Sequence, residues 1–289
     1  MAAGIQERKR FFRILSVLSA LCALLAAGVA TVPALQADKP ISQYVHHVWQ
    51  NDQGLPQNSV FGIAQTTDGY LWFATQEGLA RFDGIKFTVF DNQNTDIKEN
   101  NIQALCSSRR GGLWFGTEGS GLFFLKDGKL TSYSSKDGLP NDTVEAIVED
   151  HTGGIWVGTL AGLTRLTNGK FTNFSTRNGL SNDTVISVYE DSRGTLWIGT
   201  DGGGLNALKD GKLTLYTVKD GLPDNVVRSL LEDREGGLWI ATHDGLSRFK
   251  DGKFTNYSTK QGLSNNSILS LCQDRDGNLW VGTDGGLNR

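Results

Sequence analysis

Apolar and polar positions alternate along this chain in short runs, and turns rich in glycine, aspartate and asparagine separate the runs. Residues 226–257, VVRSLLEDREGGLWIATHDGLSRFKDGKFTNY, contain four such runs in succession. Short apolar or alternating runs bounded by turn residues predict strands, and none of them carries a helical period over the length that a helix needs. The Asp251-Gly252 pair predicts a tight hairpin between the last two strands of the stretch.

The same unit recurs six times, and a tryptophan in its second strand marks each copy. Successive tryptophans are 41 or 42 residues apart: Trp72, Trp114, Trp156, Trp197, Trp239 and Trp280. Four short antiparallel strands per roughly 40–45 residues form the blade of a β-propeller. The sequence therefore predicts an all-β propeller with six repeats. Because an indole offers roughly 150–250 Å² for burial, we interpret the tryptophans as the structural core of the repeat, each packed on the neighbouring blade.

The two ends of the repeat region bear on how the ring of blades closes. Trp49 precedes a Gly-Leu-Pro loop by five residues, as Tyr257 precedes Gly262. Residues 44–49 are therefore predicted to form a fourth strand that completes the last blade, in which residues 268–289 supply three strands. The chain stops after that third strand, which favours truncation at the C-terminus. A fragment of a seven-bladed propeller is thus the alternative to a closed ring of six.

Residues 1–37 differ in composition from the repeats. The segment contains a cluster of four basic residues, Arg8, Lys9, Arg10 and Arg13. An uncharged stretch, residues 14–32, follows them. This order predicts a secretory signal peptide, and the alternative is an uncleaved signal anchor, because the uncharged run is long enough to span a bilayer. Both interpretations place the propeller domain, residues 38–289, outside the cytoplasm, since the basic end stays inside.

Composition argues against several classes of function. Acidic residues outnumber basic ones once residues 1–37 are set aside, and no basic patch is present, so a nucleic-acid partner is not expected. No histidine has a second ligand at a metal-site spacing, and no glycine-rich turn leads into a phosphate-binding helix. We therefore predict no metal, no cofactor and no catalytic residue. Cys106 and Cys272 hold the same inner-strand position in different units and are interpreted as buried small residues rather than a disulfide.

The unit resembles the two-component regulator propeller repeat. In one copy the match comprises Gly221-Leu222-Pro223, Asp233, Gly236, Leu238-Trp239, Thr242, Gly245-Leu246 and Arg248-Phe249. The resemblance covers about residues 41–289. The departures are small: Asp96-Ile97 stands where other copies have Gly-Leu, and Ala74 and Ala241 replace glycine.

The resemblance implies a periplasmic or otherwise extracytoplasmic sensor region in the cell envelope of a bacterium. In that family the propellers precede a β-sandwich, a transmembrane helix and an output domain. The output is usually a histidine kinase that feeds a phosphorelay, and in some members a diguanylate cyclase. The implied partners are a small-molecule or oligosaccharide ligand, the membrane through regions outside this chain or through an uncleaved anchor, and a second copy in a homodimeric receptor.

Candidate ligand-binding positions follow from where the copies differ. The residue after the threonine of the second strand varies, as does the second residue of the first strand, and variation on a constant scaffold is where individual function resides. The residues that we expect to contribute to a ligand or partner surface are Gln103, Glu118, Glu145, Asp201, Arg228 and His243. The alternative is that they are solvated loop residues.

The sequence therefore predicts a sensing or binding propeller that is not itself an enzyme. By resemblance it is the input region of a membrane-bound two-component sensor histidine kinase. Two alternatives stay open at this point: an exported propeller enzyme, either a lyase or a hydrolase, and a free-standing binding scaffold.

Overall fold

The hairpin turns explain why each unit folds back on itself. The computed structural model describes residues 47–289, and in it Asp127 and Gly128 have φ angles of 50° and 73°. Two consecutive left-handed residues form the tight turn whose twist matches that of the flanking strands. The equivalent first turn residues, Asn168, Asp210 and Asp251, have φ angles of 50° or 51°. The hairpins predicted from the Asp-Gly and Asn-Gly pairs are therefore confirmed.

Strands joined by such turns make up most of the regular structure. The first three units contain β1 (Val60–Gln65), β2 (Leu71–Thr75), β3 (Gly78–Phe82), β4 (Phe87–Phe90), β5 (Ile102–Ser107), β6 (Leu113–Thr117), β7 (Leu122–Lys126), β8 (Lys129–Tyr133), β9 (Val144–Glu149), β10 (Ile155–Thr159), β11 (Gly162–Thr167) and β12 (Lys170–Phe174). The last three contain β13 (Val185–Glu190), β14 (Leu196–Thr200), β15 (Leu205–Lys209), β16 (Lys212–Tyr216), β17 (Val227–Glu232), β18 (Leu238–Thr242), β19 (Gly245–Lys250), β20 (Lys253–Tyr257), β21 (Ile268–Gln273), β22 (Leu279–Thr283) and β23 (Gly286–Asn288). Short 3₁₀ turns precede β1, β9, β13 and β21, at Asn51–Gln53, Ser135–Asp137, Thr176–Asn178 and Thr259–Gln261.

The strands form six antiparallel sheets, one per repeat, and chain order equals spatial order within each sheet. Blade 1 consists of β1–β4, and blades 2 to 5 consist in the same way of β5–β8, β9–β12, β13–β16 and β17–β20. Blade 6 contains β21, β22 and β23. We call the first strand of each blade the inner strand, because it lies beside the first strand of the next blade. This arrangement confirms the predicted all-β, six-bladed propeller.

The tryptophans lie between consecutive blades. Trp114 of blade 2 belongs to one hydrophobic cluster with Leu139 and Val144 of blade 3. The corresponding clusters in neighbouring blade pairs are centred on Trp72, Trp156 and Trp197. Trp239 and Trp280, in the last two blades, are only half-buried. Trp280 has no following blade within residues 47–289, whereas Trp239 is followed by blade 6, which has three strands there.

A glycine in the second strand sets how closely two blades approach. A Cβ atom placed on Gly116 would clash with the side chain of Val144, the first residue of the next inner strand. The same relation recurs between Gly158 and Val185 and between Gly199 and Val227. The inner strand of blade 1 is not covered by a preceding blade in this way. Its first residue, Val60, is 37% exposed, whereas Val144 is fully buried. A Cβ atom on Gly282 of blade 6 would meet Ser270 of its own blade instead. Blades 6 and 1 therefore do not pack as the other consecutive blades do.

The predicted closing strand is not formed where the structure describes it. Residues 47–50 adopt no strand, and blade 6 has three strands within residues 47–289. Trp49 lies instead against Phe82 of blade 1, with ring centroids 5.3 Å apart. Residues 44–46 of the prediction lie outside the described residues.

Two further predictions meet the structure only in part. Residues 1–37, predicted as a signal peptide or anchor, lie outside the described residues, and residues 47–289 contain no helix long and apolar enough to cross a membrane. Cys106 and Cys272 are both free. Cys106 is half-buried against blade 3, but Cys272 is exposed, so the expectation that both are buried is wrong for Cys272. The reason is that no following blade covers β21 in the described part of the chain.

Candidate functional site

The two faces of the propeller differ in how strictly they keep the repeat. The upper face, as we define it, consists of the loops before the inner strands and the loops between the second and third strands. The lower face consists of the turns after the inner strands and the hairpins between the third and fourth strands. Antiparallel strands alternate in direction, so loops of one kind emerge at the same end of every blade. The predicted site residues lie on or beside the upper face: Gln103, Glu118, Glu145, Asp201, Arg228 and His243.

A β-bulge occurs at the second residue of every inner strand. In blade 3, Val144 pairs with Thr159 and Ala146 pairs with Gly158, so Glu145 has no partner in the ladder. The residues at the same shift in the other blades are Phe61, Gln103, Ile186, Arg228 and Leu269. A bulge re-aims the side chain of its extra residue and is frequent beside functional sites. Three predicted site residues are thus bulge residues.

Three of the predicted residues come together on blades 2 and 3. Gln103 Nε2 donates to Asn101 Oδ1 over 3.2 Å, and Asn101 Nδ2 donates to Glu118 Oε2. Burial, followed by the charge of Glu118, raises the pKa of Glu145, which places the two carboxylates within electrostatic reach. Within residues 47–289 the Glu145 carboxylate forms no hydrogen bond or ion pair. This group therefore offers acceptors that the fold itself does not use.

The other three predicted residues stay apart from this group. Arg228 Nη1 donates to Ser267 Oγ of the next blade over 3.0 Å. The backbone amides of Asp201 and His243 donate to carbonyl oxygens just before the inner strands of their own blades, over 3.0 and 3.1 Å, while both residues stay exposed. In the described chain, no hydrogen bond or ion pair links these three to one another or to blades 2 and 3. Nor do three His, Cys, Asp or Glu side chains of that region gather as a metal site.

Asn101 and Ser267 are not among the positions predicted from the sequence. Both directly precede an inner strand, and the residues at this position in the other blades are Ser59, Thr143, Thr184 and Val226. The position varies between copies just as its neighbours do. A comparison of the six copies at the residue before each inner strand could have identified this position.

On the lower face, a buried acceptor organises the turn after the inner strand. Asp150 Oδ2 accepts from Trp156 Nε1 over 3.0 Å and from Arg165 Nε over 2.8 Å, while Oδ1 accepts from the Thr152 hydroxyl and the Gly154 amide. Burial raises the pKa of Asp150, but these hydrogen bonds and the Arg165 charge outweigh it and lower the pKa. The same arrangement recurs at Asp233 in blade 5. These turns therefore serve the fold.

The lower face also holds a feature that the sequence does not reveal. A cavity of about 620 Å³ lies among the turns of blades 2 to 5. His151 Nδ1 and Glu190 Oε1 line it 2.7 Å apart, beside Tyr189, whose pKa burial raises. Glu190 and Glu232 also accept from the backbone amides of His151 and Ser192 in the preceding blades, each over 2.7 Å. These carboxylates connect consecutive blades, so they already have structural partners.

Comparison with known proteins begins with the repeat itself. The family model for the two component regulator propeller matches residues 54–77, 96–119, 138–161, 179–202, 221–244 and 262–285. Each match runs from the loop before an inner strand to the loop after the threonine of the second strand. No curated protein matches the chain.

Solved structures with this fold include extracellular domains of signalling proteins. One, assigned to a hybrid two component system of B. thetaiotaomicron, is 25% identical, with a TM-score of 0.68 over 83% of this chain and 41% of its own. A second from that bacterium is 26% identical, with a TM-score of 0.60 over 79% and 37%. This chain thus spans less than half of either domain. Virginiamycin B lyase from Staphylococcus aureus shares the fold at 17% identity, with a TM-score of 0.66 over 78% of each chain.

Proposed function

The chain belongs to the two component regulator propeller family, and on that premise we propose that it is the extracytoplasmic ligand-sensing region of a membrane-bound receptor. The two signalling relatives described above are extracellular domains of putative hybrid two component systems, which supports this context. The proposal includes a histidine kinase output, a phosphorelay, attachment to the membrane and a homodimeric receptor. It places the propeller in the periplasm.

One observation carries the sensing proposal: six bulges hold six different side chains. In the lower-face turns of blades 3 to 6 the tryptophan indole donates to an aspartate each time. The bulge residues, in contrast, are Phe61, Gln103, Glu145, Ile186, Arg228 and Leu269. The blades therefore present apolar, amide, acidic and basic side chains at the same position of their inner strands. Binding sites combine apolar surface with a few placed polar groups in this way.

The ligand that fits these groups is a small polar molecule or an oligosaccharide. Hydroxyl groups can donate to the free carboxylate of Glu145 and to Glu118, and they can accept from Arg228. Arg228 keeps further N–H donors for this purpose, because its guanidinium makes one hydrogen bond, to Ser267, within the described residues.

Calorimetric titration of the full chain with a panel of oligosaccharides and small polar metabolites tests this assignment. Glu145→Gln and Arg228→Ala are each expected to weaken the binding of a ligand found in this way by about tenfold or more, the usual loss for a hydrogen bond to a charged group. Lys253→Ala, in a lower-face hairpin, is the control and is expected to leave affinity unchanged. A ligand that binds all three variants equally would show that the upper face is not the site.

The receptor context has a separate test. The coding sequence that continues beyond Arg289 in the source DNA is expected to encode a transmembrane helix and a histidine-kinase core. A stop codon soon after Arg289 would overturn the receptor proposal and leave an exported binding protein.

The His151–Glu190 pair favours a second candidate function, that of an exported lyase or hydrolase. A histidine oriented by a carboxylate in a cavity is the arrangement of a general base. The lyase with this fold is too distant in sequence to supply more than the fold. An elimination or hydrolysis assay on the full chain would support this function if turnover is lost in His151→Ala and kept in His243→Ala. Turnover that survives His151→Ala would exclude this pair.

A further inference from the structure

A cavity separates the outer parts of blades 1 and 2. Its volume is about 480 Å³, and its apolar lining includes Leu79, Phe90, Ile97, Phe115 and Leu130. A second cavity of about 310 Å³ shares Phe90 with it and continues towards the lower face. The outer edge of this boundary therefore carries a groove, which we call the blade 1–2 slot. Its deepest residues, Leu79, Ile97 and Phe115, are at most 2% exposed and pack in one cluster that joins the two blades.

Blades 3 and 5 fill the corresponding space with a ring. A Cβ atom placed on Gly138, in the loop before blade 3, would lie 3.3 Å from the ring of Phe171 in that blade's fourth strand. The same distance separates Gly221 and Phe254 in blade 5. In blade 2 both partners differ, because Asp96 replaces the glycine and Leu130 replaces the phenylalanine. Blade 4 also carries a leucine, Leu213, but keeps Gly179, whose added Cβ atom would lie 3.4 Å from it. The pairing of a leucine with Asp96 in place of the glycine therefore distinguishes blade 2 among the described blades.

The loop that leads into blade 2 is also built differently. Like the loop before β17, it lacks a 3₁₀ turn, and here Thr95 Oγ1 donates to the carbonyl oxygen of Asp91 over 2.6 Å. Asn94 Nδ2 donates to the carbonyl oxygen of Val89 over 3.2 Å. Asp96 lies at the rim of the slot, and within residues 47–289 its carboxylate forms no hydrogen bond or ion pair. The slot therefore combines an apolar floor with one unused negative charge at its mouth.

We propose that the blade 1–2 slot binds a small organic cation with a ring-sized apolar body, the chemical class of the aryl-alkyl amines. A cavity of this volume lies within the range of small-molecule sites, about 300–1,000 Å³. The ring takes the space that phenylalanine fills in blades 3 and 5, and the ammonium group faces the Asp96 carboxylate. None of the six predicted ligand-binding residues lines this site, and the site does not depend on the sensing proposal.

The test uses three probes of one shape and different charge: phenethylamine, 2-phenylethanol and 3-phenylpropionate. Each is titrated into the full chain, and binding is followed by the methyl NMR signals of the protein. Phenethylamine is expected to bind most tightly and 3-phenylpropionate least. Nuclear Overhauser contacts are expected from the phenyl ring to the methyl groups of Ile97 and Leu130. Equal affinity for the amine and the carboxylate, or no ring contact to these methyl groups, would overturn the proposal.

Two variants separate the contributions of shape and charge. Leu130→Phe introduces the phenylalanine that blades 1, 3 and 5 carry at this position and is expected to weaken all three probes at least tenfold. Leu213→Phe, the equivalent change in blade 4, is the matched control and is expected to change nothing. Asp96→Asn is expected to reduce the preference for the amine over the alcohol about two- to fivefold, the scale of an exposed ion pair. If Leu213→Phe weakened probe binding as much as Leu130→Phe, the assignment would be overturned. If Leu130→Phe does not fold, the nuclear Overhauser contacts in the unmodified chain decide the assignment.

Discussion

Replacement of Asp150 by asparagine tests whether the lower-face turns hold the blades together. Asp150 is 2% exposed, and its two oxygens accept hydrogen bonds on opposite sides. Oδ2 faces Trp156 Nε1 and Arg165 Nε, whereas Oδ1 faces the Gly154 amide. An asparagine presents an NH₂ group to one side in either orientation of its amide. Donors that are satisfied in the native protein would then face another donor.

The expected cost follows from the buried donors that lose their acceptor. Each costs about 1–3 kcal/mol. The lost pairing with Arg165 adds less than a fully buried ion pair would, because the Arg165 side chain is 32% exposed and solvent screens the charge. We therefore expect Asp150→Asn to lower the free energy of unfolding by about 2–4 kcal/mol, consistent with loss of a buried hydrogen-bond network.

Urea unfolding followed by tryptophan fluorescence measures this change. The matched control is Asp127→Asn, because Asn168 occupies the same hairpin position with the same φ of 50°, and its expected effect is within about 0.5 kcal/mol. Asp150→Thr is expected to fall between the two, since in blade 1 the Thr66 hydroxyl accepts from an indole N–H over 2.9 Å. An Asp150→Asn protein as stable as the control would refute the reasoning.

The pH dependence of the same variant gives an independent check. Burial raises the pKa of Asp150, but the hydrogen bonds and Arg165 lower it overall. Its stabilisation is therefore complete above the unfolded pKa of about 3.9 and is lost as the pH falls through the lower folded value. Asp150→Asn is expected to show a shallower loss of stability below about pH 4. Parallel losses in both proteins would contradict the assignment.

Three further changes probe other parts of the fold. Glu145→Gln is expected to raise the free energy of unfolding at pH 7 by about a few tenths of a kcal/mol, since the site is partly solvated. It is expected to have no effect below about pH 3, where the glutamate is neutral in the folded and unfolded states; urea unfolding at both pH values measures this. Gly116→Ala is expected to cost about 1–3 kcal/mol through overpacking against the next blade, whereas Gly282→Ala costs less, and calorimetric melting compares them. A thiol reagent at pH 8 is expected to modify Cys272 within minutes and Cys106 only on unfolding, because burial raises the pKa of Cys106 to about 11; peptide mapping by mass spectrometry identifies the modified residue.

The fold could be predicted from the sequence because its determinants are local and repeated. An Asp-Gly pair such as Asp251-Gly252 specifies its hairpin within four residues, and the tryptophan period fixes the number of units. The predictions that failed depend on a neighbouring blade. The closing strand would have had to pair with blade 6, and residues 47–49, the part of it that the structure describes, form no strand. The burial of Cys272 requires a blade that follows blade 6, and the described residues do not provide one.

The site was predictable only in outline, for a related reason. The varied positions include bulge residues such as Glu145, but the bulge itself is visible only in the register of the strands. The role of Asn101 arises once the loop that carries Glu118 folds back beside it. His151 and Glu190 belong to different blades and meet only in the folded ring. Pairs that are distant in sequence carry no spacing signal in a single chain.

The contrast between the faces has a physical cause. A lower-face residue such as Glu190 is constrained twice, by its own strand and by the turn of the preceding blade that it holds. A bulge residue is constrained by its backbone alone, so its side chain can change without disturbing the ladder. Glu145 is the clearest case, because burial and the charge of Glu118 raise its pKa and so disfavour its charged form. A carboxylate that the fold does not use and holds at some cost is better explained by a ligand that contacts it than by stability.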